Sequence, residues 1–178
     1  MVSLHLAVTV TDDDHAQGPT DAPFLLVQYG DYECPYTRRS LAEVQELGAE
    51  LGDDLRWVFR NFPLVEIHPH ALRAAEAAEA AGAQGRFWEM HALLFSHQDA
   101  LEDSDLFRYA GELGLHIETF AAHLASGAHL DRIRDDIDGG RQSGVDETPT
   151  FFTNGVRHEG PYAAAALLAA LRATTPAT

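Results

Sequence analysis

Phe24-Leu25-Leu26-Val27-Gln28-Tyr29-Gly30-Asp31-Tyr32-Glu33-Cys34-Pro35-Tyr36-Thr37 is the stretch that decides the fold. Residues 24–29 form a short apolar run bounded by Pro23 and Gly30, which suits a strand buried on both faces of an α/β sheet. Pro35 fits the first turn of a helix, where its missing N–H has no intrahelical partner. Leu41, Val44, Leu47 and Leu51 then recur at helical spacing, and Gly52 stops the pattern. Leu55-Arg56-Trp57-Val58-Phe59-Arg60 alternates with period two, as a half-buried strand does. Strand, helix and strand within about 40 residues make a βαβ unit. It should be right-handed, with the Cys34 loop at the carboxyl edge of its first strand.

Working outward, residues 4–10 alternate loosely enough for an edge strand. Residues 12–23 contain Gly18-Pro19 and Asp21-Ala22-Pro23 and read as loop. Residues 71–81 are dominated by alanine, the best helix former. Residues 87–95, 105–113, 117–124 and 130–137 also read as helices, punctuated by glycines. Thr150-Phe151-Phe152-Thr153, Asn154-Gly155 and Val156-Arg157-His158 form a strong hairpin signal. Residues 163–172 close as an apolar helix. The order is βαβ, a helical block, then ββα, so the block is an insertion between strands of one sheet.

Length and composition set outer limits. With 178 residues, 46% of them hydrophobic, the chain suits one domain with an insertion. We expect an α/β domain built from residues 1–67 and 144–178, with an inserted helical domain over residues 68–143. A single cysteine excludes an intramolecular disulfide. No apolar run approaches the roughly 18 residues of a membrane span. A net charge of -16 argues against nucleic acid and anionic membrane as partners. Residues 1–10 hold no Lys or Arg and run into Asp12-Asp13-Asp14, unlike a signal peptide, so a cytoplasmic location is expected.

Cys34 carries the chemistry. A lone cysteine is usually an inert core residue, but this one stands where a buried-type strand meets a helix N-terminus. Partial positive charge and unpaired N–H groups there favour a thiolate. Arg38 and Arg39 add positive charge, and can alternatively face the carboxylates of a small thiol or simply be solvated. Asp31 and Glu33 flank the thiol. Ionised and close, they oppose a thiolate; buried, one can accept a proton.

Tyr29-Gly30-Asp31-Tyr32-Glu33-Cys34-Pro35-Tyr36 resembles the active-site segment of DsbA-like proteins of the thioredoxin superfamily, and so does Thr148-Pro149-Thr150-Phe151-Phe152-Thr153-Asn154-Gly155. Ile67-His68-Pro69-His70 with the Ala/Glu-rich run after it, and Gly85-Arg86-Phe87-Trp88-Glu89-Met90-His91, resemble the family's inserted helical domain. The resemblance covers roughly residues 22–172. It implies an α/β thioredoxin fold, a mixed central sheet flanked by helices, with that insertion. It also implies that Cys34 is the nucleophile, that Pro35, Tyr36, Thr148 and Pro149 meet the substrate, and that Thr148-Pro149 is a cis-proline loop.

Thr37 departs from the family's dithiol pattern, in which a second cysteine three residues on resolves the enzyme–substrate mixed disulfide. Threonine cannot form a disulfide, so an outside thiol must resolve Cys34. The Thr37 hydroxyl can donate to the thiolate, or Thr37 is a tolerated replacement in a retired site. The expected function is a monothiol, DsbA-like thiol–disulfide oxidoreductase. Its partners are disulfide-containing or thiolated proteins and peptides. It needs no bound cofactor, and glutathione or an equivalent serves as co-substrate. A redox-inactive peptide-binding module and a kappa-like glutathione transferase are the alternatives; the latter uses serine where Cys34 stands. The ten histidines show no metal-ligand spacing, so no metal is expected, and His68-Pro69-His70 reads as a helix start.

Overall fold

A computed structural model describes residues 5–174. Five strands form one sheet: β1 (His15–Gln17), β2 (Phe24–Gly30), β3 (Leu55–Asn61), β4 (Thr150–Thr153) and β5 (Val156–Arg157). Their order is β1-β3-β2-β4-β5, with β2 and β3 parallel and every other neighbouring pair antiparallel. Helix α1 (Pro35–Leu51) connects the parallel pair, and α7 (Ala164–Ala173) ends the described chain beside it. Between β3 and β4 come α2 (Ala71–Gly82), α3 (Phe87–Ser96), α4 (Asp103–Glu112), α5 (Ile117–Ser126) and α6 (Leu130–Gln142).

Period-two alternation sorts β2 onto two cores. Leu26 joins Val44 and Leu47 of α1, Leu167 and Leu171 of α7, and the alanine face of α2. Val27 and Tyr29 point the other way, with Val58, Phe62, Val145 and Phe152. Burial on both faces is why the run reads as continuously apolar. The alanines of α2 let neighbouring helices approach closely, and Ala74, Ala77, Ala78 and Ala81 have no exposure at all.

Three expectations need correction. No ladder strand runs through residues 5–10: His5 makes one isolated bridge to Val156, and Leu4 lies outside the described residues. Leu6 N–H instead donates to Gly155 O and Ala7 N–H to Ser143 Oγ. The strand at the β3 edge of the sheet is β1, inside the stretch that reads as loop. His15 is drawn there by tertiary contacts, its Nε2 lying 2.9 Å from Glu79 and its ring stacked on Phe87 at 3.4 Å. Finally, α6 continues through Gly139-Gly140 to Gln142 rather than ending near 137. A Cβ on Gly140 would fall 2.8 Å from the Phe62 ring, so glycine here permits close approach rather than ending the helix. The hairpin is as its residues indicate, with positive φ at Asn154 (49°) and Gly155 (83°).

Candidate functional site around Cys34

Cys34 is the N-cap of α1, with extended backbone (φ -75, ψ 120) and no side-chain cap, so the first-turn N–H groups of a 17-residue helix face its surroundings. A buried polar chain fixes that turn from below. Trp57 Nε1–H donates to Gln28 Oε1, Gln28 Nε2–H to Ser40 Oγ, and the Ser40 hydroxyl to Thr37 O at 2.7 Å. Cys34 is 3% exposed, and its thiol donates to Thr148 O at 3.2 Å. The Thr148–Pro149 peptide is cis. Sequence positions 34 and 148 are thus in direct contact.

Thr37 is fully buried, and its Oγ1 accepts the Asp31 N–H at 3.4 Å. Tyr36 is 56% exposed, with the Arg39 guanidinium over its ring at 5.2 Å. Arg38 is exposed on the same turn. Beyond Tyr36 lies an open groove of about 560 Å³, lined by Thr148, Pro149, Thr150, Phe151 and Tyr162 among others. The Thr148 hydroxyl oxygen is buried without a hydrogen-bond partner.

The carboxylates flanking the thiol are both occupied. Asp31, 1% exposed, accepts from Glu33 N–H (2.7 Å), Leu64 N–H (2.8 Å) and His68 Nδ1 (2.8 Å). Glu33 Oε2 accepts His70 N–H at 2.7 Å, and its Oε1 lies 2.9 Å from His70 Nδ1. His70 Nε2 lies 3.1 Å from Glu102, the N-cap of α4. His68 and His70 do precede α2, and His70 is its N-cap residue without a side-chain capping hydrogen bond; both imidazoles meet the carboxylates of the Cys34 loop instead. That juxtaposition is invisible in sequence, because the partners lie 37 positions apart. Gln98, a loop residue with no sequence signal, donates from Nε2 to both Tyr32 O and Cys34 O.

A second polar cluster anchors the segment carrying these histidines. Asn61, at the end of β3, donates its backbone N–H and side-chain amide to Asp136 of α6, and its amide also to Glu79 of α2. Burial pushes the Asp136 carboxyl up to about 6, with the Asn61 N–H and Arg132 opposing the rise. Burial also raises Glu79, but the His15 hydrogen bond and charge, with Arg132 and Asn61, bring it below its ordinary value. His91 lies in an aromatic cage of Tyr32, Trp57, Phe59, Trp88 and Phe95, where burial drives it down to about 3. It is a neutral core residue. Among the described residues no three His, Cys, Asp or Glu side chains are placed to hold a metal ion.

A thioredoxin family model matches residues 10–173. The chain belongs to the thioredoxin family. The thioredoxin fold here has the DsbA-like form. A thioredoxin-like oxidoreductase from Silicibacter pomeroyi superposes with a TM-score of 0.81 over 92% of each chain at 26% identity. Alpha-DsbA1 from Wolbachia pipientis superposes with a TM-score of 0.75 over 92% of each chain at 19% identity. In sequence, the chain is 48% identical over 164 residues to a protein named Na(+)/H(+) antiporter NhaA 1 from Mycolicibacterium vanbaalenii. The match covers 91% of this chain and 27% of that protein, so this thioredoxin-family chain spans about a quarter of the relative's length. Among the described residues no helix is long and apolar enough to cross a membrane.

Proposed function

We propose that this chain is a thiol–disulfide oxidoreductase working by a monothiol mechanism through Cys34. The observation that carries the reading is the contact of Cys34 Sγ with Thr148 O, which puts the family's two active-site segments face to face at a helix N-terminus. The helix end favours the thiolate. The thiolate attacks the sulfur of a protein–glutathione mixed disulfide, forming a Cys34–glutathione disulfide and releasing the protein thiolate. A second glutathione thiolate then attacks the bound glutathione sulfur, returning Cys34 as thiolate and leaving oxidised glutathione. One disulfide is exchanged for another: the protein sulfur leaves as a thiolate, and a single external glutathione thiol takes its place in the oxidised glutathione released. The Thr148-Pro149 segment and Tyr36 line the groove in which the substrate chain lies, and Thr37, where a resolving cysteine would stand, leaves that step to the outside thiol. A reducing cytoplasm supplies that thiol.

Intact mass spectrometry after exposure to oxidised glutathione tests the reading. One glutathione adduct is expected on the wild type, reversed by excess reduced glutathione, and none on Cys34→Ser. A wild-type chain that stays unmodified removes the mechanism and leaves a peptide-binding groove.

A further inference from the structure

We propose that His70 is a positioning residue for Cys34: its imidazolium neutralises Glu33, the residue that directly precedes Cys34 in the chain, and ties it to Glu102 of the helical insertion. The proposal rests on the reading of Cys34 as the nucleophile and adds what keeps its surroundings from opposing a thiolate.

The argument begins with donors and acceptors. Both ring nitrogens of His70 lie against carboxylate oxygens, Nδ1 on Glu33 at 2.9 Å and Nε2 on Glu102 at 3.1 Å. A neutral imidazole has one N–H, so its second nitrogen would present a lone pair to an acceptor-only carboxylate. Only the imidazolium satisfies both contacts. In accord with this geometry, the Glu33 hydrogen bond, then the charges of Glu33 and Glu102, hold His70 above its ordinary value. Those two carboxylates are the charged groups facing the ring. Asp31, on the other side of the loop, differs: His68 meets it with Nδ1 alone, which a neutral ring also supplies, and two backbone N–H groups complete it.

Glu33 directly precedes Cys34, and its side chain is 19% exposed, so water screens it only in part. Arg38 and Arg39 are exposed, and Arg39 lies over Tyr36. Offsetting Glu33 therefore falls to His70. Without the imidazolium, a negative charge one residue from the sulfur disfavours a second one forming there.

The test is the pH profile of Cys34 alkylation by iodoacetamide from about pH 5 to about pH 10.5, a range that brackets the titration of a free thiol at about 8.5. His70→Gln keeps an amide donor for Glu33 and removes the charge. It is expected to move the profile's midpoint to higher pH and slow alkylation at pH 6.5 by roughly threefold, the scale of a screened charge pair at intermediate dielectric. The double variant Glu33→Gln/His70→Gln removes both charges and is expected to restore the wild-type midpoint. A midpoint unmoved in the single variant overturns the proposal. So does a double variant as shifted as the single one, which would give His70 a role in loop shape alone. Wild-type Cys34 that fails to alkylate at any pH removes the nucleophile itself, an outcome distinct from both.

Discussion

Replacing Asp136 by asparagine tests how the Asn61 clamp is held. The Asp136 carboxyl is 8% exposed and titrates near 6 instead of 3.8 because burial disfavours its anion. At about 1.4 kcal/mol per pH unit, the distance from 3.8 to about 6 makes the ionised form cost the folded state about 3 kcal/mol at pH 7.5. Between those two values the folded state binds more protons than the unfolded one. Stability therefore falls as pH rises through the window and is level above it. At pH 5.2 the cost drops to about 2 kcal/mol, so this residue alone gives back about 1 kcal/mol on acidification. Asparagine keeps a carbonyl oxygen to accept the Asn61 N–H and cannot ionise, so the slope should vanish from the variant. Urea unfolding of both proteins at pH 5.2 and 7.5 measures this. The stability difference, variant minus wild type, should be larger at pH 7.5 by about 1 kcal/mol, and pH-independent effects of the substitution cancel in that comparison. An equal difference at both pH values would refute the reasoning, because Asp136 would then ionise as readily folded as unfolded.

Two further substitutions probe the packing that positions the site. Gly140→Ala places a methyl group 2.8 Å from the buried Phe62 ring and 3.0 Å from Tyr29, so urea unfolding should show a loss of about 1–3 kcal/mol with the site chemistry retained. Asp14 pairs with buried Arg60 at 2.7 Å, and although burial opposes its ionisation, the Arg60 hydrogen bond and charge hold its carboxyl below the ordinary value. Asp14→Ala leaves that guanidinium with Val8 O, Thr9 O and Tyr29 OH but without its hydrogen-bonded carboxylate, and a loss of about 3 kcal/mol in thermal or urea unfolding is expected.

Much of the molecule was legible in linear order. Periodicity located β2, α1 and β3 to within a residue, because a strand buried on both faces and a helix buried on one leave unmistakable apolar spacing. Asn154-Gly155 located the hairpin, since few residue pairs adopt its two positive φ angles at low cost. Patterning failed where a tertiary contact outweighed local preference. The helix read over residues 130–137 runs on through Gly139-Gly140, where α6 meets Phe62 and Tyr29; His15-Ala16-Gln17 reads as loop and is an edge strand held by Glu79 and Phe87.

The same division runs through the site. The sequence by itself determined that Cys34 stands at a strand-to-helix junction and has no second cysteine to close upon, because both facts are local. Only the tertiary structure decided which groups surround the sulfur. Thr148 O meets it from 114 positions away, and His70 and Glu102 join Glu33 from 37 and 69 positions along the chain. Asp31 and Glu33, ambiguous as a pair of acids beside a thiol, resolve into a buried carboxylate with three donors and a carboxylate clamped by an imidazolium. A charge in a linear chain has no partner until folding brings one within hydrogen-bond reach, and it is the partner that sets what the charge does to its neighbours.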